Sequence, residues 1–273
     1  MVDNKQLNFT NSVFLKIIGI ITMTFDHFAK MVTFFKPNLL NQVTINIFQI
    51  IGRVSFPIFA FLVVEAMIHS KNKILYLFRL FLLSFSCDLI FFLVSKEYWG
   101  NPITTLFLGG LAIYFLQSKK VYIKLLAFIP IIYTLLISFN VIPLLAMYDL
   151  YGLILILLFY FSIYLSNEFC EQYSKIYYLD YDDFSNKYGF MSRKFISALL
   201  LVVFTILVWA INPKYQDVNI FIDDPITQLY SFLAIIFLLI YNGKKGYNKS
   251  WIKYLFYLYF PLHLIVIYLF MII

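Results

Sequence analysis

The sequence predicts an all-α fold: a polytopic integral membrane helical bundle of about nine transmembrane helices (eight to ten), formed as one domain by residues 1–273. Three observations predict this class. Hydrophobic residues occupy 62% of the 273 positions and charged residues only 13%, about half the charged share of a soluble domain. The mean hydropathy is +0.85. Apolar runs of the roughly 20 residues that a bilayer crossing needs recur along the whole chain.

Nine apolar runs are predicted to span the membrane. In chain order they cover residues 13–35, 43–68, 74–95, 102–118, 122–141, 150–166, 195–211, 225–241 and 253–272. The first is expected to be a retained helix and not a cleaved signal peptide, because Asp26 interrupts its apolar core. The fifth run matches a membrane-spanning helix least well, because Pro130 interrupts it. The eighth starts well at Pro225, since two aspartates precede it and favour a helix N-terminus.

The positive charges predict the orientation of the bundle. With the N-terminus in the cytoplasm, 16 of the 21 Lys and Arg residues fall in cytoplasmic segments and four fall outside, which favours an N-in, C-out topology. Residues 167–194, the one long polar stretch, are predicted to be a cytoplasmic loop inserted between the sixth and seventh helices. These cytoplasmic lysines explain the net charge of +7, so no nucleic-acid partner is expected.

The first helix carries an ionisable pair, Asp26 and His27, inside an otherwise apolar run. A charged Asp at the centre of a membrane helix costs about 2.5–3.5 kcal/mol on insertion scales, so the pair indicates chemistry. The charge of a histidine changes near neutral pH, which makes His27 the candidate general base. Adjacent helical residues do not face each other, so Asp26 is expected to pair with Lys30 or Arg53, or to hold the acceptor. The alternative is a buried ion pair that only fixes helix packing.

The second and ninth helices supply two more polar groups. In Arg53-Val-Ser-Phe-Pro57, the proline removes a backbone hydrogen bond and frees the carbonyl of Arg53. Arg53 is a candidate for binding a phosphate or polarising a carbonyl; serving as counter-ion to Asp26 or Asp88 is the other reading. His263 lies two residues after a proline and offers a second imidazole. Its alternative role is a hydrogen bond to a neighbouring helix.

A cluster at the cytoplasmic ends of the second and third helices is the candidate cofactor site. Its members are Glu65, His69, Lys71, Asn72 and Arg79. Basic side chains here, with Lys73, are expected to meet the phosphates of a polyanionic cofactor. A solvated helix end or a positive-inside anchor would explain the same residues. No metal site is expected, because the sequence has no Cys/His constellation with ligand spacing.

Five segments, taken together and in order, resemble one known family. They are Leu15 to His27, Gly52 to Glu65, His69 to Arg79, Tyr151-Gly152 and Tyr259 to His263. The combination of Asp-His, Arg-Val-Ser-Phe-Pro and Pro-Leu-His resembles the TraX family, the F-pilin N-terminal acetylases and their relatives. Two positions depart from the family pattern: Ser86-Cys87-Asp88 in the third helix, and Asp149-Leu-Tyr-Gly152, which is one residue longer than the family's Asp-Tyr-Gly.

The resemblance implies a transmembrane acetyltransferase of the bacterial cytoplasmic (inner) membrane that uses acetyl-CoA. On this hypothesis the coenzyme A thioester enters from the basic cytoplasmic side and its acyl end reaches between the first, second and ninth helices. His27 takes a proton from an amine or hydroxyl of the acceptor, which is a peptide, pilin or glycan. Arg53 polarises the thioester carbonyl, and His263 orients it or acts as a second acid or base.

Two other functions remain open from the sequence. A transporter or proton-coupled permease would use the same Asp, His and Arg groups as a proton relay or substrate path, although no inverted repeat supports it. A non-catalytic membrane chaperone or immunity factor would tolerate replacement of Asp26, His27 and Arg53.

Overall fold

Apolar helices make up most of the chain that the computed structural model describes, which is residues 10–96, 100–139, 141, 148–211, 225–247 and 249–273. No β-strand occurs in those ranges, so the all-α prediction is confirmed. The α-helices are α1 Ser12–Phe35, α2 Gln42–Gly52, α3 Ser55–His69, α4 Lys73–Ser95, α5 Pro102–Leu116, α6 Val121–Leu125, α7 Phe128–Ser138, α8 Asp149–Tyr177, α9 Tyr181–Ile211, α10 Pro225–Gln228, α11 Ala234–Ile240 and α12 Ser250–Ile272. A 3-10 helix, Leu229–Leu233, joins α10 to α11.

The length and composition of these helices are those of a multi-pass membrane protein. Within the described ranges, six stretches are long and apolar enough to cross a bilayer: Ser12–Phe35, Gln42–His69, Val121–Ser138, Leu150–Tyr177, Tyr181–Ile211 and Trp251–Ile272. Pro102–Leu116 and Ile226–Ile240 are shorter apolar helices. The number of nine crossings and the N-in, C-out orientation stay predictions.

The second predicted span is one apolar stretch with a break at its arginine. α2 ends at Gly52, the next two residues form a turn, and α3 starts at Ser55. The backbone N–H of Arg53 bonds to two carbonyls of the preceding turn at 3.2 and 3.1 Å. Pro57 has no N–H to offer the carbonyl of Arg53, so the local opening predicted there is confirmed.

A proline also accounts for the division of the fifth predicted span. α6 ends at Leu125 and α7 starts at Phe128, because Pro130 cannot donate to the carbonyl of the residue four positions earlier. The eighth predicted span starts at Pro225, as expected. It does not continue as one α-helix, since the 3-10 helix divides it into α10 and α11.

Residues 167–194 form a helical hairpin with a short turn, and their position as a cytoplasmic insertion stays a prediction. α8 continues to Tyr177 and α9 starts at Tyr181. The two helices are joined by serine side chains, among them Ser162 and Ser197, whose hydroxyl oxygens are 2.8 Å apart. Small polar residues let membrane helices approach closely and hydrogen-bond across the interface. The polar residues of this stretch therefore extend two long helices and do not end them.

α3 lies at the centre of the bundle. It contacts α1, α2, α4, α5, α8 and α11, and Ile58, Phe61, Val64 and Met67 on it are fully buried. A helix that is apolar on every side belongs in the interior of a bundle. α1 packs against α2, α3 and α12, so helices from opposite ends of the sequence are neighbours.

The start of α1 is tied to the loop between α11 and α12. The backbone N–H of Ser12 donates to the carbonyl of Lys244 at 2.9 Å, and its hydroxyl donates to the carbonyl of Lys245 at 2.8 Å. Gly243 and Gly246 in this loop have φ of +73° and +75°, a backbone conformation that glycine adopts without strain. The loop is therefore held against the N-terminal end of α1.

Gly52→Ala tests the approach of α1 to α2. An ideal Cβ on Gly52 would lie 2.3 Å from the Cβ of Asp26, so the substitution must displace one of the helices. We expect the free energy of unfolding to fall by about 1–3 kcal/mol, measured by thermal unfolding in detergent. The control is Gly189→Ala, where the nearest atom to the new Cβ is the Ser185 hydroxyl at 3.3 Å. Equal melting temperatures for the two variants would contradict the close approach.

Candidate active site

An elongated cavity of about 810 Å³ lies between α1, α3, α4, α5 and α12. Lys16 and Asp26 both line it, and their separation of ten residues on α1 corresponds to about 15 Å. The side chains at one end are mostly exposed or half-buried and basic; we call this end the basic mouth, defined by Lys16, His69, Lys71, Asn72, Arg79, Lys245, Lys249 and Lys253. The other, the buried end, is defined by Asp26, His27, Gly52, Ser55 and Phe56.

At the buried end, His27 is fixed by His263 of α12. Its Nδ1 lies 2.7 Å from Nε2 of His263, and Nδ1 of His263 lies 3.1 Å from the carbonyl oxygen of Tyr259. Because a carbonyl only accepts, a neutral His263 donates from Nδ1 and accepts at Nε2. His27 then donates from Nδ1 and keeps a lone pair on Nε2. His27 lines the cavity and His263 lies behind it, so His263 sets the tautomer of a ring that can accept a proton.

Aromatic packing holds both imidazoles in place. The ring of His263 stacks on Tyr259 with 5.2 Å between centroids and 6° between planes. Phe260 meets both imidazoles edge-on. The hydroxyl of Tyr259 lies 2.8 Å from that of Thr24 on α1. α12 is thereby fixed against α1 at the histidine pair and about one helical turn before it.

Asp26 pairs with two cations and not with its neighbour His27. Its Oδ2 lies 2.7 Å from Nζ of Lys30, and its Oδ1 lies 3.9 Å from Nη2 of Arg53. Both partners expected for Asp26 are therefore confirmed. The Arg53 side chain also lies near the hydroxyl of Tyr148. Two cations around one carboxylate give this part of the protein a net positive charge.

All five residues predicted for the cofactor cluster line the cavity: Glu65, His69, Lys71, Asn72 and Arg79. Lys73 does not join them. Its ammonium group instead donates to the side chain of Gln117, which in turn donates to the carbonyl of Met67 at 3.2 Å. The expected contact of Lys73 with phosphates therefore has no support in this geometry, whereas the other predicted cations share one wall.

Four further lysines of the basic mouth are not predicted as site residues by the sequence: Lys16, Lys245, Lys249 and Lys253. In the sequence their charges indicate only the orientation of the bundle. Lys16 and Lys245 are close enough for their ammonium groups to repel each other. Neither forms an ion pair with a carboxylate of the described residues. Two uncompensated like charges on one cavity wall favour the binding of an anion between them.

Arg193 is a further residue of the site that the sequence pattern did not single out. It forms a buried ion pair with Glu65 of the cavity wall, and its guanidinium lies over the rings of Phe61 and Phe190 at 5.5 and 5.6 Å. Its position just before a long apolar run was the available signal, since such an arginine is otherwise taken for a cytoplasmic anchor. The pair connects the cavity wall to α9.

Two residues that the sequence analysis names, Arg53 and Asp88, do not line the cavity. Arg53 is at the level of the buried end but is not part of the cavity wall, whereas Tyr148, which contacts it, is. Nothing in the sequence separates Tyr148 from the other 21 tyrosines. Asp88 accepts a hydrogen bond from the Asn101 side chain at 2.7 Å and lies outside the cavity wall. The side chain of Asp149 lies outside the described residues.

A metal centre is not suggested by the described residues, in which no three His, Cys, Asp or Glu side chains are grouped to hold an ion. The arrangement instead combines a tautomerically defined imidazole, a net positive neighbourhood and a basic opening. Such a site can bind an anionic substrate at one end and take a proton at the other.

The helices and the cavity define a multi-pass membrane protein with a histidine pair at the buried end of a basic cavity. The chain belongs to the TraX family: the profile of the family described as TraX protein matches residues 12–216, about three quarters of the chain. The matched range contains Asp26, His27, Arg53 and Tyr148. His263 and the lysines of the α11–α12 loop lie beyond it. No curated protein and no solved structure matches the chain.

Arg193→Met tests the buried ion pair of Glu65. The carboxylate of Glu65 is 5% exposed, so removal of its partner leaves a buried, uncompensated charge. We expect a loss of about 3–5 kcal/mol in the free energy of unfolding, measured by thermal unfolding in detergent. The control is the double variant Glu65→Leu with Arg193→Met, which removes both charges and is expected to recover most of the loss. A double variant less stable than the single one would contradict the pairing.

Proposed function

We propose that this TraX-family protein is an acetyl-CoA-dependent acyltransferase. It transfers the acetyl group to an amine or hydroxyl of a peptide, pilin or glycan acceptor at the cytoplasmic membrane. The observation that carries the proposal is the continuity of the cavity. One space connects an exposed, basic mouth with His27, a buried imidazole whose Nε2 can accept a proton.

Coenzyme A suits the cavity by the order of its groups. Its phosphates and nucleotide form a polyanionic head, a thin neutral arm follows, and the thioester ends the molecule. The cavity wall has the matching order: cations in the basic mouth, then apolar residues such as Met23, Leu62 and Val63, then His27. In the proposed complex Lys16 and Lys245 contact the phosphates, and an anion between them would relieve their mutual repulsion.

His27 is the proposed general base. An attacking amine or hydroxyl must lose a proton as it bonds to the thioester carbon, and His27 Nε2 accepts it. His263 acts as a positioning residue, because its hydrogen bond to His27 Nδ1 keeps the lone pair on Nε2. As in other histidine-based proton transfers, a partner on the second ring nitrogen stabilises the imidazolium that forms.

In this proposal the electrostatic environment of the reacting thioester is set by Asp26, Lys30 and Arg53. The tetrahedral intermediate carries a negative oxygen, and a fixed positive surrounding stabilises it without reorganisation. Asp26 holds the two cations at this depth, so its role is positioning. Acceptor access would be from the end of the cavity lined by Pro102 and Tyr148, which are partly exposed.

His27→Ala tests the proposed base. Inside-out membrane vesicles from the native host are given acetyl-CoA with a labelled acetyl group, and label in non-CoA material is measured. We expect the variant to lose transfer, by about 100-fold or more, while coenzyme A still raises its melting temperature, because the basic mouth is intact. Wild-type rates in the variant would remove His27 from the mechanism. The proposed acyl transfer itself would be contradicted if the wild type were not stabilised by coenzyme A and incorporated no label. Movement of a solute across the vesicle membrane would then favour a transporter.

Lys16→Met and Lys245→Met test the phosphate site. Each removes one charge-assisted contact, so each is expected to weaken binding of coenzyme A by about 10- to 100-fold and to reduce the salt dependence of the affinity, measured by calorimetry in detergent. The control is Lys175→Met: this lysine is exposed, pairs with Glu171 and lies outside the cavity wall. Equal affinities for all three variants and the wild type would exclude this wall as the phosphate site.

A further inference from the structure

The cation at the buried end does not reach the cavity itself. Arg53 is absent from the cavity wall, and its described neighbours are the carboxylate of Asp26 and the hydroxyl of Tyr148. Tyr148 does line the cavity. A substrate at the buried end would therefore meet the hydroxyl group of a tyrosine before it met the guanidinium behind it.

The geometry of Tyr148 is unusual for its residue type. Its φ is +68°, in the left-handed region where a bulky side chain is strained. Strained residues persist only where their surroundings hold them, and they concentrate at functional sites. Here the ring of Tyr148 stacks on Phe56 with 4.1 Å between centroids and 16° between planes.

The absence of a side chain at Gly152 makes room for the side chain of Tyr148. Gly152, one helical turn further along α8, donates its backbone N–H to the carbonyl of Tyr148 at 2.7 Å. A Cβ at Gly152 would lie 2.7 Å from the ring of Phe56 and 2.9 Å from the Cβ of Tyr148. Phe56 and Gly152 together fix the tyrosine ring at the cavity wall.

The contact with Arg53 determines what the hydroxyl can do. A guanidinium has donors only, so in a hydrogen bond between the two side chains Arg53 would donate and the oxygen of Tyr148 would accept. The hydroxyl proton is then left for another acceptor. A phenol that accepts a charge-assisted hydrogen bond is also polarised toward donating its own proton. Tyr148 is therefore a hydrogen-bond donor available to the cavity at the level of Asp26 and His27.

We propose that Tyr148 is a catalytic residue that donates a hydrogen bond to the thioester carbonyl oxygen, with Arg53 as its positioning residue. This inference depends on the proposed acyl transfer. The acceptor atom gives its proton to His27 Nε2 and bonds to the carbonyl carbon, and the C=O π electrons move to the oxygen that Tyr148 holds. When the carbonyl re-forms, the C–S bond breaks and the thiolate of coenzyme A takes the proton back from His27.

The other tyrosines near the cavity do not share this position. Tyr76, Tyr247 and Tyr257 line it nearer the basic mouth, at the level of the proposed phosphates. Tyr151 is one helical turn from Tyr148, but its hydroxyl lies 3.0 Å from that of Thr205 and it is outside the cavity wall. Tyr151 is therefore a matched control for the loss of one tyrosine hydroxyl on α8.

The test compares Tyr148→Phe with Tyr151→Phe in the vesicle assay, at saturating and limiting acetyl-CoA. Phenylalanine keeps the ring on Phe56 and removes only the hydroxyl. We expect Tyr148→Phe to lower kcat by about 100- to 1000-fold, the effect of removing one oxyanion donor, with the KM for acetyl-CoA and the affinity for coenzyme A unchanged. Tyr151→Phe is expected to keep the wild-type kcat.

The outcomes separate the two proposals. An active wild type with an equally active Tyr148→Phe would overturn the role of Tyr148 and leave acyl transfer standing. A raised KM at constant kcat would show that Tyr148 only helps to bind the donor, which also overturns the proposal. Coenzyme A-dependent stabilisation of both variants verifies that they are folded. A wild type without transfer contradicts the proposed function before the tyrosine is considered.

Discussion

The contact between Asp26 and the α2–α3 break is the interaction on which the site depends. Gly52 lets α1 approach until the side chain of Asp26 fills the place of a missing Cβ. The carboxylate then holds Lys30 on its own helix and Arg53 at the break. Any larger residue at Gly52 would move the carboxylate away from the turn. The ion pairs that Lys30 and Arg53 form with this carboxylate therefore depend on the close approach of α1 to Gly52.

The charged side chains at the two ends of the cavity are paired in different ways. At the buried end, one carboxylate and two cations partly compensate each other, so their positions are fixed in the absence of substrate. At the basic mouth, Lys16 and Lys245 have no carboxylate partner among the described residues, and an anion between them would reduce their repulsion. Between the two ends, the buried carboxylate of Glu65 is neutralised by Arg193.

The fold was largely predictable because apolar length and proline position are local signals. The helix class, the start at Pro225 and the opening at Arg53 all follow from residues within one or two turns. The helical conformation of residues 167–194 could not be predicted, because polarity alone does not distinguish an irregular loop from a polar helix. Asp26 and His27 were predictable from their cost in an apolar run, whereas Tyr148 was not. Its position depends on Phe56, Gly152 and Arg53, which are distant in sequence and meet only in the folded bundle.

The bond between His27 and His263 joins residues 236 positions apart, and this has a consequence for synthesis. α1 leaves the ribosome well before α12. Until α12 is inserted, the ring of His27 has no partner to select its tautomer, and Thr24 lacks the tyrosine hydroxyl beside it. A partly made chain thus carries an imidazole that is not yet oriented. The two imidazoles can therefore pair only after α12 has been inserted beside α1.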